Sequence, residues 1–271
     1  VKFSRWLKAA ILKESLNEIK VADKLETYRA LAPEYLGPSF ATISGYGPHG
    51  ALPHYHASEA SNSTLKPEGI LLVDSGAQYD DGTTDITRTF ALGVPRHHHK
   101  LIYTTVLKGH LLLARSHFPQ GVNGYQLDVL ARQPLWKESL DYNHGTGHGV
   151  GAALCVHEGP FSVSLRKNMT PLDAGNVLSN EPACYITGDF GVRIENLVTV
   201  VKKNESDAYG VYLGFEDLTL CPYERELIEV RSLSEEDRHQ VNLYHHRVFK
   251  ELSPLLEGQD LLYLIERTKP L

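Results

Sequence analysis

A stretch rich in glycine and histidine is the sequence feature that most constrains the fold of this chain. It runs from His144 to Pro160 and contains three histidines (His144, His148 and His157) among four closely spaced glycines, with a fifth glycine directly before the proline. Glycine allows positive φ angles and lets the backbone approach a ligand closely. The stretch therefore predicts a loop that forms a site, rather than a helix.

Four carboxylates in strand-like surroundings flank this loop. Asp74 and Asp85 lie on predicted strands upstream, and Glu181 and Glu195 lie in apolar segments downstream. Asp74 and Glu195 each follow apolar strand residues, where an unpaired buried charge is costly. Four carboxylates and one histidine are typical of a site for two hard divalent ions. The sequence therefore predicts a dinuclear metal hydrolase.

Other kinds of hydrolytic site fit the sequence less well. His144 and His148 are four residues apart, but no glutamate follows His144, which excludes an HExxH zinc motif. No GxSxG motif occurs, so a Ser-His-Asp hydrolase has weak support. One of the two histidines can be a ligand while the other contacts substrate. Taken singly, Asp85 also fits an ion pair with Arg88, and Glu181 also fits a turn cap.

The spacing of Asp74 and Asp85 leaves two registers open for the predicted hairpin that carries them. A two-residue turn at Asp81-Gly82 places the two aspartates about four residues apart along the ladder, roughly 13 Å. A four-residue loop at residues 78–81, or an equivalent bulge, pairs them directly. Only the second arrangement is expected to let both carboxylates reach shared metal ions.

Composition bounds the class of protein. The chain has 271 residues, of which 42% are hydrophobic and 22% charged, which fits one large domain with an extension. A net charge of −6 gives no reason to expect nucleic acid or an anionic membrane as a partner. The three cysteines form no CxxC pair, which favours a reducing compartment, so we expect a cytoplasmic protein.

Hydrophobic spacing predicts helices at both ends of the chain and between them. The predicted helices are residues 1–18, about 22–31, 95–118, 126–140 and most of 234–271. Pro134 predicts a break or kink in the fourth of them. We expect residues 1–222 to form the catalytic domain and residues 223–271 a helical extension. Because the chain starts at Val1 and its one methionine is Met169, we also expect N-terminal sequence to be missing.

Six ordered motifs resemble the catalytic domain of aminopeptidase P, the Xaa-Pro aminopeptidases of the pita-bread metallopeptidase family, most closely the large three-domain type. The motifs are Val73-Asp-Ser-Gly-Ala-Gln-Tyr, Gly82-Thr-Thr-Asp-Ile-Thr-Arg-Thr, His144-Gly-Thr-Gly-His-Gly-Val-Gly, Val156-His-Glu-Gly-Pro, Ser179-Asn-Glu-Pro and Gly191-Val-Arg-Ile-Glu-Asn. The resemblance implies an α+β pita-bread fold, in which helices flank a curved antiparallel sheet, with a C-terminal helical extension. One departure is Asn180-Glu-Pro-Ala-Cys-Tyr, where members often show Asp-Glu-Pro-Gly-Tyr.

The resemblance also implies a set of metal ligands. Asp85 and Glu195 would bridge two ions, Asp74 would hold one of them, and His148 the other. Glu181 would bind one ion and act as general base on the water between them. The hydroxide formed there would attack the carbonyl that precedes proline. The expected cofactor is two divalent ions, first of all Mn²⁺, with Co²⁺, Zn²⁺ and Fe²⁺ as alternatives.

Five further residues match the substrate side of the family site. His54 and His157 would hold the scissile region and shuttle protons as catalytic groups. His144 would line the proline pocket. Tyr185 and Arg193 would complete the substrate-binding side through the hydrogen-bonding network behind the metals. The resemblance therefore implies an active site built from all three histidines of the glycine-rich loop together with His54.

The function implied is a metal-dependent aminopeptidase that removes the N-terminal residue from peptides with proline in second position. A prolidase or another aminopeptidase of the same fold, such as a methionine aminopeptidase, is the alternative enzyme. A catalytically inactive peptide-binding module and a metal-free hydrolase of the creatinase type are disfavoured, because all five ligand positions are filled. The expected partner is a peptide with an Xaa-Pro N-terminus, with no nucleic acid and no membrane. A homodimer through the C-terminal region is left open.

Overall fold

The chain folds as a mixture of helices and antiparallel strands. The structure, a computed structural model, describes residues 1–206, 208 and 210–271. The α-helices are α1 (Lys2–Ala10), α2 (Glu18–Arg29), α3 (His97–Ala114), α4 (Gly124–Lys137), α5 (Glu235–Leu252) and α6 (Gly258–Thr268). The strands are β1 (Tyr35–Pro38), β2 (Ile43–Tyr46), β3 (Ile70–Ser75), β4 (Ala77–Tyr79), β5 (Gly82–Thr83), β6 (Ile86–Ala91), β7 (His117–Pro119), β8 (Gly147–His148), β9 (Ser162–Val163), β10 (Val177–Asn180), β11 (Ala183–Ile186), β12 (Phe190–Arg193), β13 (Asn196–Ser206) and β14 (Gly210–Asp217). Within the described residues, no helix combines the length and apolarity needed to traverse a bilayer.

Two larger sheets and one two-stranded ribbon position the site. One sheet has the strand order β2-β3-β6, and the other has the order β10-β13-β14-β7. The ribbon β11-β12 contacts both β3 and β6, so it joins the downstream part of the chain to the upstream sheet. Strand β3 is buried along its whole length, in agreement with its uninterrupted apolar run.

The hairpin that carries Asp74 follows neither of the two predicted registers. Asp74 lies opposite Thr87 in the β3–β6 ladder, and the turn falls at residues 80–81. Asp85 is therefore two residues from the cross-strand partner of Asp74, on the same face and about 7 Å along the strand. The expectation that only direct pairing brings both carboxylates to one site was wrong, because an offset of two residues keeps both side chains on that face.

A close backbone contact at Gly76 fixes this register. A Cβ atom at position 76 would lie 1.9 Å from the carbonyl oxygen of Thr84 and 2.3 Å from Ser39 Oγ. Because no larger residue fits there, the chain can pass from β3 to β4 while the segment before β6 stays pressed against it. The contact holds Asp85, the residue after Thr84, at the edge of the sheet.

The helices agree with the predictions in place but not in extent. The helix predicted over residues 1–18 ends at Ala10 as α1, and α2 begins at Glu18, earlier than the predicted start at about residue 22. In α1, the buried residues Phe3, Leu7 and Ala10 recur at helical spacing. Helix α3 ends at Ala114, earlier than predicted, because the residues that follow pair with β14 as strand β7. Helix α4 continues past Pro134 to Lys137, so Pro134 does not break it, while a kink there stays a prediction.

The C-terminal helices share their core with the rest of the chain. Val241 and Val248 of α5 and Leu264 of α6 belong to the same buried cluster as Leu107 of α3 and Val192 of β12. Helix α5 begins after Ser234, whose side chain accepts a hydrogen bond from the third backbone amide of the helix. The predicted helical extension is present, while its boundary at residues 222 and 223 stays a prediction.

Glu18, at the start of α2, is a fully buried carboxylate that organises the loop before His54. Its exposed fraction is 0%. It accepts hydrogen bonds of 2.8 Å from the backbone amides of Tyr46 and Ser63, from the Tyr55 hydroxyl and from His49 Nδ1. Because four donors converge on two oxygens, the negative charge is compensated without a lysine or arginine in these contacts.

We expect Glu18→Gln to lower the free energy of unfolding by about 1–3 kcal/mol, because the amide nitrogen would face donors that the carboxylate satisfies. Chemical denaturation monitored by circular dichroism measures the change. Glu14→Gln is the matched control, since Glu14 is exposed at the preceding turn. Equal stability of the two variants would contradict a structural role for Glu18.

Candidate metal centre

One cavity of about 890 Å³ brings together the residues that the sequence singles out. It opens beside the glycine-rich loop, which contains no helix in the structure, as predicted. The predicted site residues that line the cavity are His54, Asp74, Asp85, His144, His148, His157, Glu181, Tyr185, Arg193 and Glu195. Every residue proposed from the sequence therefore faces the same space.

Five separate segments of the chain carry the predicted ligands, two on strands and three directly beside strands. Asp74 lies on β3, Asp85 directly before β6, His148 on β8, Glu181 directly after β10, and Glu195 between β12 and β13. Three of them form the tightest group. One ligand atom each from Asp85, His148 and Glu195 lies within 4.8 Å of the others. Residues far apart in the sequence thus present their donor atoms to one point.

Glu181 and Asp74 stand next to this group. His148 Nε2 lies 3.2 Å from Glu181 Oε1 and 3.4 Å from Asp85 Oδ2. The other ring nitrogen, Nδ1, donates a hydrogen bond of 3.0 Å to the carbonyl of Gly149. This fixes the ring so that Nε2 points at the carboxylates. Asp74 Oδ2 accepts a hydrogen bond of 2.6 Å from Arg193 Nη2.

Burial and mutual repulsion shift the pKa values of the cluster. Burial, reinforced by Asp74 and Glu181, raises the pKa of Asp85 to about 7 although His148 opposes the shift. Burial and the neighbouring Asp85 also raise the pKa of Glu195. Burial lowers the pKa of His148, but its hydrogen bonds to Asp85 and Glu181 outweigh this effect and raise the value to about 11. The carboxylates are therefore closer together than their charges favour.

The donor set fits divalent cations. Asp74 Oδ1 and Asp85 Oδ1 are buried without a hydrogen-bond partner. An unsatisfied buried oxygen is costly, and a coordinated ion satisfies it. Carboxylate oxygens with one imidazole suit Mn²⁺, Co²⁺, Fe²⁺ or Zn²⁺. The arrangement can therefore hold cations where the protein itself leaves acceptors unused.

Two hydroxyl groups that the sequence interpretation missed orient the ligands. Thr87 Oγ1 donates a hydrogen bond of 2.7 Å to Glu195 Oε2. Ser179 Oγ donates at 3.0 Å to Glu181 Oε1 and accepts at 3.0 Å from the backbone amide of His148. Thr87 and Ser179 each lie two residues from a predicted ligand, so strand alternation places them on the same face. That period-two spacing is the signal that could have found them.

His144 has a different environment from His148. Its Nδ1 donates to the carbonyl of Gly145 at 2.7 Å, and its Nε2 accepts from the Tyr185 hydroxyl at 2.9 Å. The same hydroxyl accepts a hydrogen bond of 2.5 Å from Arg193 Nη1. Burial lowers the pKa of His144. Of the two histidines left open by the sequence, His148 faces the carboxylates and His144 faces Tyr185.

His54 and His157 are exposed residues on the wall of the cavity. The ring of His157 lies 4.0 Å from that of His148, measured between centroids. Their exposed position on the cavity wall suits contact with a ligand that enters from outside.

A buried ion pair on α4, also missed from the sequence, supports the glycine-rich loop. Arg132 Nε donates to Asp128 Oδ2 at 2.6 Å, and the two guanidinium Nη atoms donate to the carbonyls of Tyr142 and His144, each at 2.7 Å. The spacing of four residues between Asp128 and Arg132 is a recognisable helix signal. Gly147 lets this loop pack directly against β10, because a Cβ at Gly147 would lie 1.9 Å from the carbonyl oxygen of Ser179.

The alternative role considered for Asp85 is wrong. Arg88 does not pair with it, and its Nη1 atom instead donates to the carbonyl of Glu195 at 2.6 Å. Residues three apart on a strand point to opposite faces, which separates the two side chains.

Comparison with known proteins identifies the family. The sequence profile of metallopeptidase family M24 matches residues 2–202, and the profile of the C-terminal region of peptidase_M24 matches residues 211–271. The chain belongs to metallopeptidase family M24. The family resemblance read from the motifs is thereby confirmed.

Relatives of this M24 chain carry aminopeptidase names. Aminopeptidase P2 of Arabidopsis thaliana is 46% identical over 99% of the chain, and the probable Xaa-Pro aminopeptidase P of Sordaria macrospora is 44% identical over 100% of it. The chain spans 39% and 45% of the lengths of these two relatives. It therefore corresponds to less than half of either protein.

Solved structures confirm the α+β pita-bread fold with C-terminal helices. The X-prolyl aminopeptidase of Caenorhabditis elegans, described as a cytosolic enzyme with a di-nuclear active site, is 41% identical, with a TM-score of 0.94 over 100% of this chain and 45% of its own. The prolidase of Pyrococcus furiosus is 30% identical, with a TM-score of 0.66 over 80% of this chain and 60% of its own.

We expect the affinity of this M24 chain for Mn²⁺ to rise between about pH 6 and pH 8. In the metal-free protein, Asp85 with a pKa of about 7 and His148 with a pKa of about 11 hold protons that ligation must displace. Raising the pH removes this competition, so the affinity grows about tenfold per pH unit for each proton released. Calorimetric titration at several pH values measures the slope.

The test variant is Asp85→Asn, which removes one of the titrating groups and should both flatten the slope and weaken Mn²⁺ binding. The matched control is a second acid-to-amide change. Asp189→Asn alters an acid outside the cavity lining and should leave both the slope and the affinity unchanged. If the Mn²⁺ affinity of the unaltered chain did not change with pH, the expectation that Asp85 and His148 hold protons in the metal-free protein would be wrong.

Proposed function

We propose that the chain is the catalytic part of a metal-dependent aminopeptidase that removes the N-terminal residue from peptides with proline in second position. The observation that carries the proposal is the convergence of four carboxylates and one imidazole on one open cavity, with unsatisfied oxygens on Asp74 and Asp85. Relatives named Xaa-Pro aminopeptidase support the choice among the activities of the family.

The proposed ligands are Asp74, Asp85, His148, Glu181 and Glu195, with Mn²⁺ as the expected metal. When bound, two divalent ions would supply Lewis acidity and lower the pKa of a water held between them. The di-nuclear site reported for the Caenorhabditis elegans enzyme supports a count of two.

Glu181 suits the role of general base. Burial raises its pKa, but the hydrogen bond and charge of His148 outweigh this effect and lower the value to about 2. The carboxylate is therefore ionised at neutral pH, which is the protonation state that a proton acceptor requires. Its Oε1 atom is held by Ser179 Oγ at 3.0 Å, which keeps the group aimed into the cavity.

The substrate side is proposed to consist of His54, His157, His144, Tyr185 and Arg193. The two exposed histidines can donate to a carbonyl oxygen as negative charge develops on it. Proline forms a tertiary amide without an N–H group, so its pocket selects by ring shape. The rings of His144 and Tyr185, with centroids 5.6 Å apart and planes inclined by 55°, offer an angled aromatic wall for such a ring. Arg193 Nη1 donates a hydrogen bond of 2.5 Å to the Tyr185 hydroxyl and so holds this side chain in place.

A prolidase is the second candidate, and the likeness to the prolidase of Pyrococcus furiosus favours it. The higher identity and fuller coverage of the aminopeptidase relatives argue for the first candidate. A binding module without catalysis is disfavoured, because such a module has no need to keep buried carboxylates together at a cost.

Three further proposals concern the whole protein. Residues 1–222 would form the catalytic domain and residues 223–271 the helical extension, and a second copy of the chain would bind through that extension. The description of the Caenorhabditis elegans enzyme as cytosolic supports a cytoplasmic location.

The test is hydrolysis of Arg-Pro-Pro by the full chain after loading with Mn²⁺, together with elemental analysis of bound metal. We expect release of arginine and close to two ions per chain. Glu181→Gln should lower kcat by at least about 100-fold through loss of the base. Glu138→Gln is the matched control, since Glu138 is exposed at the end of α4, and it should leave kcat unchanged.

Different outcomes separate the alternatives. Cleavage of Xaa-Pro dipeptides without tripeptide cleavage would favour the prolidase. Cleavage of Met-initiated peptides alone would indicate a methionine aminopeptidase. Binding of well under one ion per chain would favour the binding module and would overturn the proposal.

A further inference from the structure

Arg88 on β6 is a buried cation that contacts both the metal-site strands and the C-terminal region. Only 3% of its surface is exposed. Among the described residues, its hydrogen bonds go to carbonyl, amide and hydroxyl oxygens. A guanidinium leaves water at low cost only when its donors are satisfied in fixed directions. The oxygens around Arg88 are therefore held in a defined arrangement.

Half of this arrangement belongs to the metal site. Arg88 Nη1 donates to the carbonyl of Thr87 at 2.9 Å and to the carbonyl of Glu195 at 2.6 Å. Arg88 Nη2 donates to Asn196 Oδ1 at 2.6 Å. The Thr87 carbonyl in turn accepts a hydrogen bond of 3.2 Å from the backbone amide of Glu195. The Thr87 hydroxyl donates a hydrogen bond of 2.7 Å to the Glu195 carboxylate. The backbone of Glu195 is thus fixed by Thr87 and Arg88 together.

The other half belongs to the C-terminal region. Arg88 Nη2 donates to the carbonyl of Cys221 at 2.9 Å and to the Tyr244 hydroxyl at 3.2 Å, and Nε donates to the carbonyl of Pro222 at 3.3 Å. The ring of Tyr223 lies 5.2 Å from the guanidinium carbon. One side chain therefore connects the strands of the site to the segment that leads into α5.

Tyr244 on α5 fixes that segment. Its hydroxyl lies 3.0 Å from the carbonyls of both Thr219 and Cys221 and accepts the backbone amide of Cys221 at 3.2 Å. Its ring stacks on Tyr223, with centroids 4.6 Å apart and planes inclined by 27°. Removing the hydroxyl would loosen the carbonyls that Arg88 needs, without altering any residue of the cavity.

The position of Glu195 matters because coordination tolerates only small displacements, on the order of 0.2 Å in a ligand distance. Groups that orient metal ligands from behind typically change metal affinity about 10-fold to 100-fold when removed. Arg88 holds the backbone of a ligand, and Tyr244 holds the partners of Arg88. The two residues therefore form a chain of contacts from α5 to the metal site.

We infer that Arg88 and Tyr244 are positioning residues for Glu195, so that the C-terminal helical region sets the metal affinity of the site. The inference rests on the proposed function, because it requires Glu195 to be a ligand. It gives the C-terminal region a role in the metal centre although none of its residues lines the cavity.

The test compares Tyr244→Phe and Arg88→Lys with the unaltered chain in calorimetric titration with Mn²⁺ and in the visible absorption spectrum with Co²⁺. We expect Tyr244→Phe to weaken Mn²⁺ binding about tenfold and Arg88→Lys up to about 100-fold, with an altered Co²⁺ spectrum in both. Lysine cannot reproduce the planar fork of arginine, so charge alone does not restore the site. Tyr125→Phe, at an exposed tyrosine of α4, is the matched control and should change neither measurement.

Circular dichroism and the melting temperature of the metal-free variants separate positioning from general destabilisation. A lower melting temperature with unchanged Mn²⁺ affinity and an unchanged Co²⁺ spectrum in Tyr244→Phe would overturn the inference while leaving the proposed function intact. Failure of the unaltered chain to bind either ion would overturn both. Weakened binding and a changed spectrum in a folded Tyr244→Phe variant would support it.

Discussion

The repulsion between buried carboxylates is the constraint on which the site depends. Asp74, Asp85 and Glu195 are almost inaccessible to water, and they share the positive charge of His148 and of Arg193. The protein does not neutralise them fully, as the unpartnered oxygens and the raised pKa values of Asp85 and Glu195 indicate. Such a cluster persists only because the surrounding fold holds it together, and it gains free energy when cations enter. Favourable contacts elsewhere in the chain therefore offset the unfavourable free energy of this cluster.

The rest of the fold supplies that support from several directions. Apolar contacts unite the C-terminal helices with α3 and β12 in one core. Buried polar groups then fix the loops that carry functional side chains, with Glu18 holding the segment before His54 and Arg132 holding the segment around His144. Each of these groups contacts backbone atoms of the loop that it holds and none of the predicted ligands. The precision of the site is thus a property of the whole chain and not of its motifs alone.

The chemistry of the site could be predicted from the sequence, but its internal geometry could not. Acids after apolar strands and a histidine among glycines point to a metal centre, because these residue types are costly to bury for any other reason. The hairpin register escaped prediction, since it depends on a backbone contact between Gly76 and Thr84 that strand periodicity does not encode. The alternative pairing of Asp85 with Arg88 does not form, because residues three apart on a strand point to opposite faces. Supports such as Arg132 act across the fold and become visible only in three dimensions.

The close contacts at Gly76 and Gly147 also limit how the pocket can be redesigned. At both positions, an added methyl group would overlap a carbonyl oxygen of a neighbouring segment, so neither glycine can be replaced by a residue with a side chain. Leu165 and Arg166 line the cavity as well, and both are exposed. Libraries aimed at a new peptide preference should therefore vary the rim and leave the two glycines fixed.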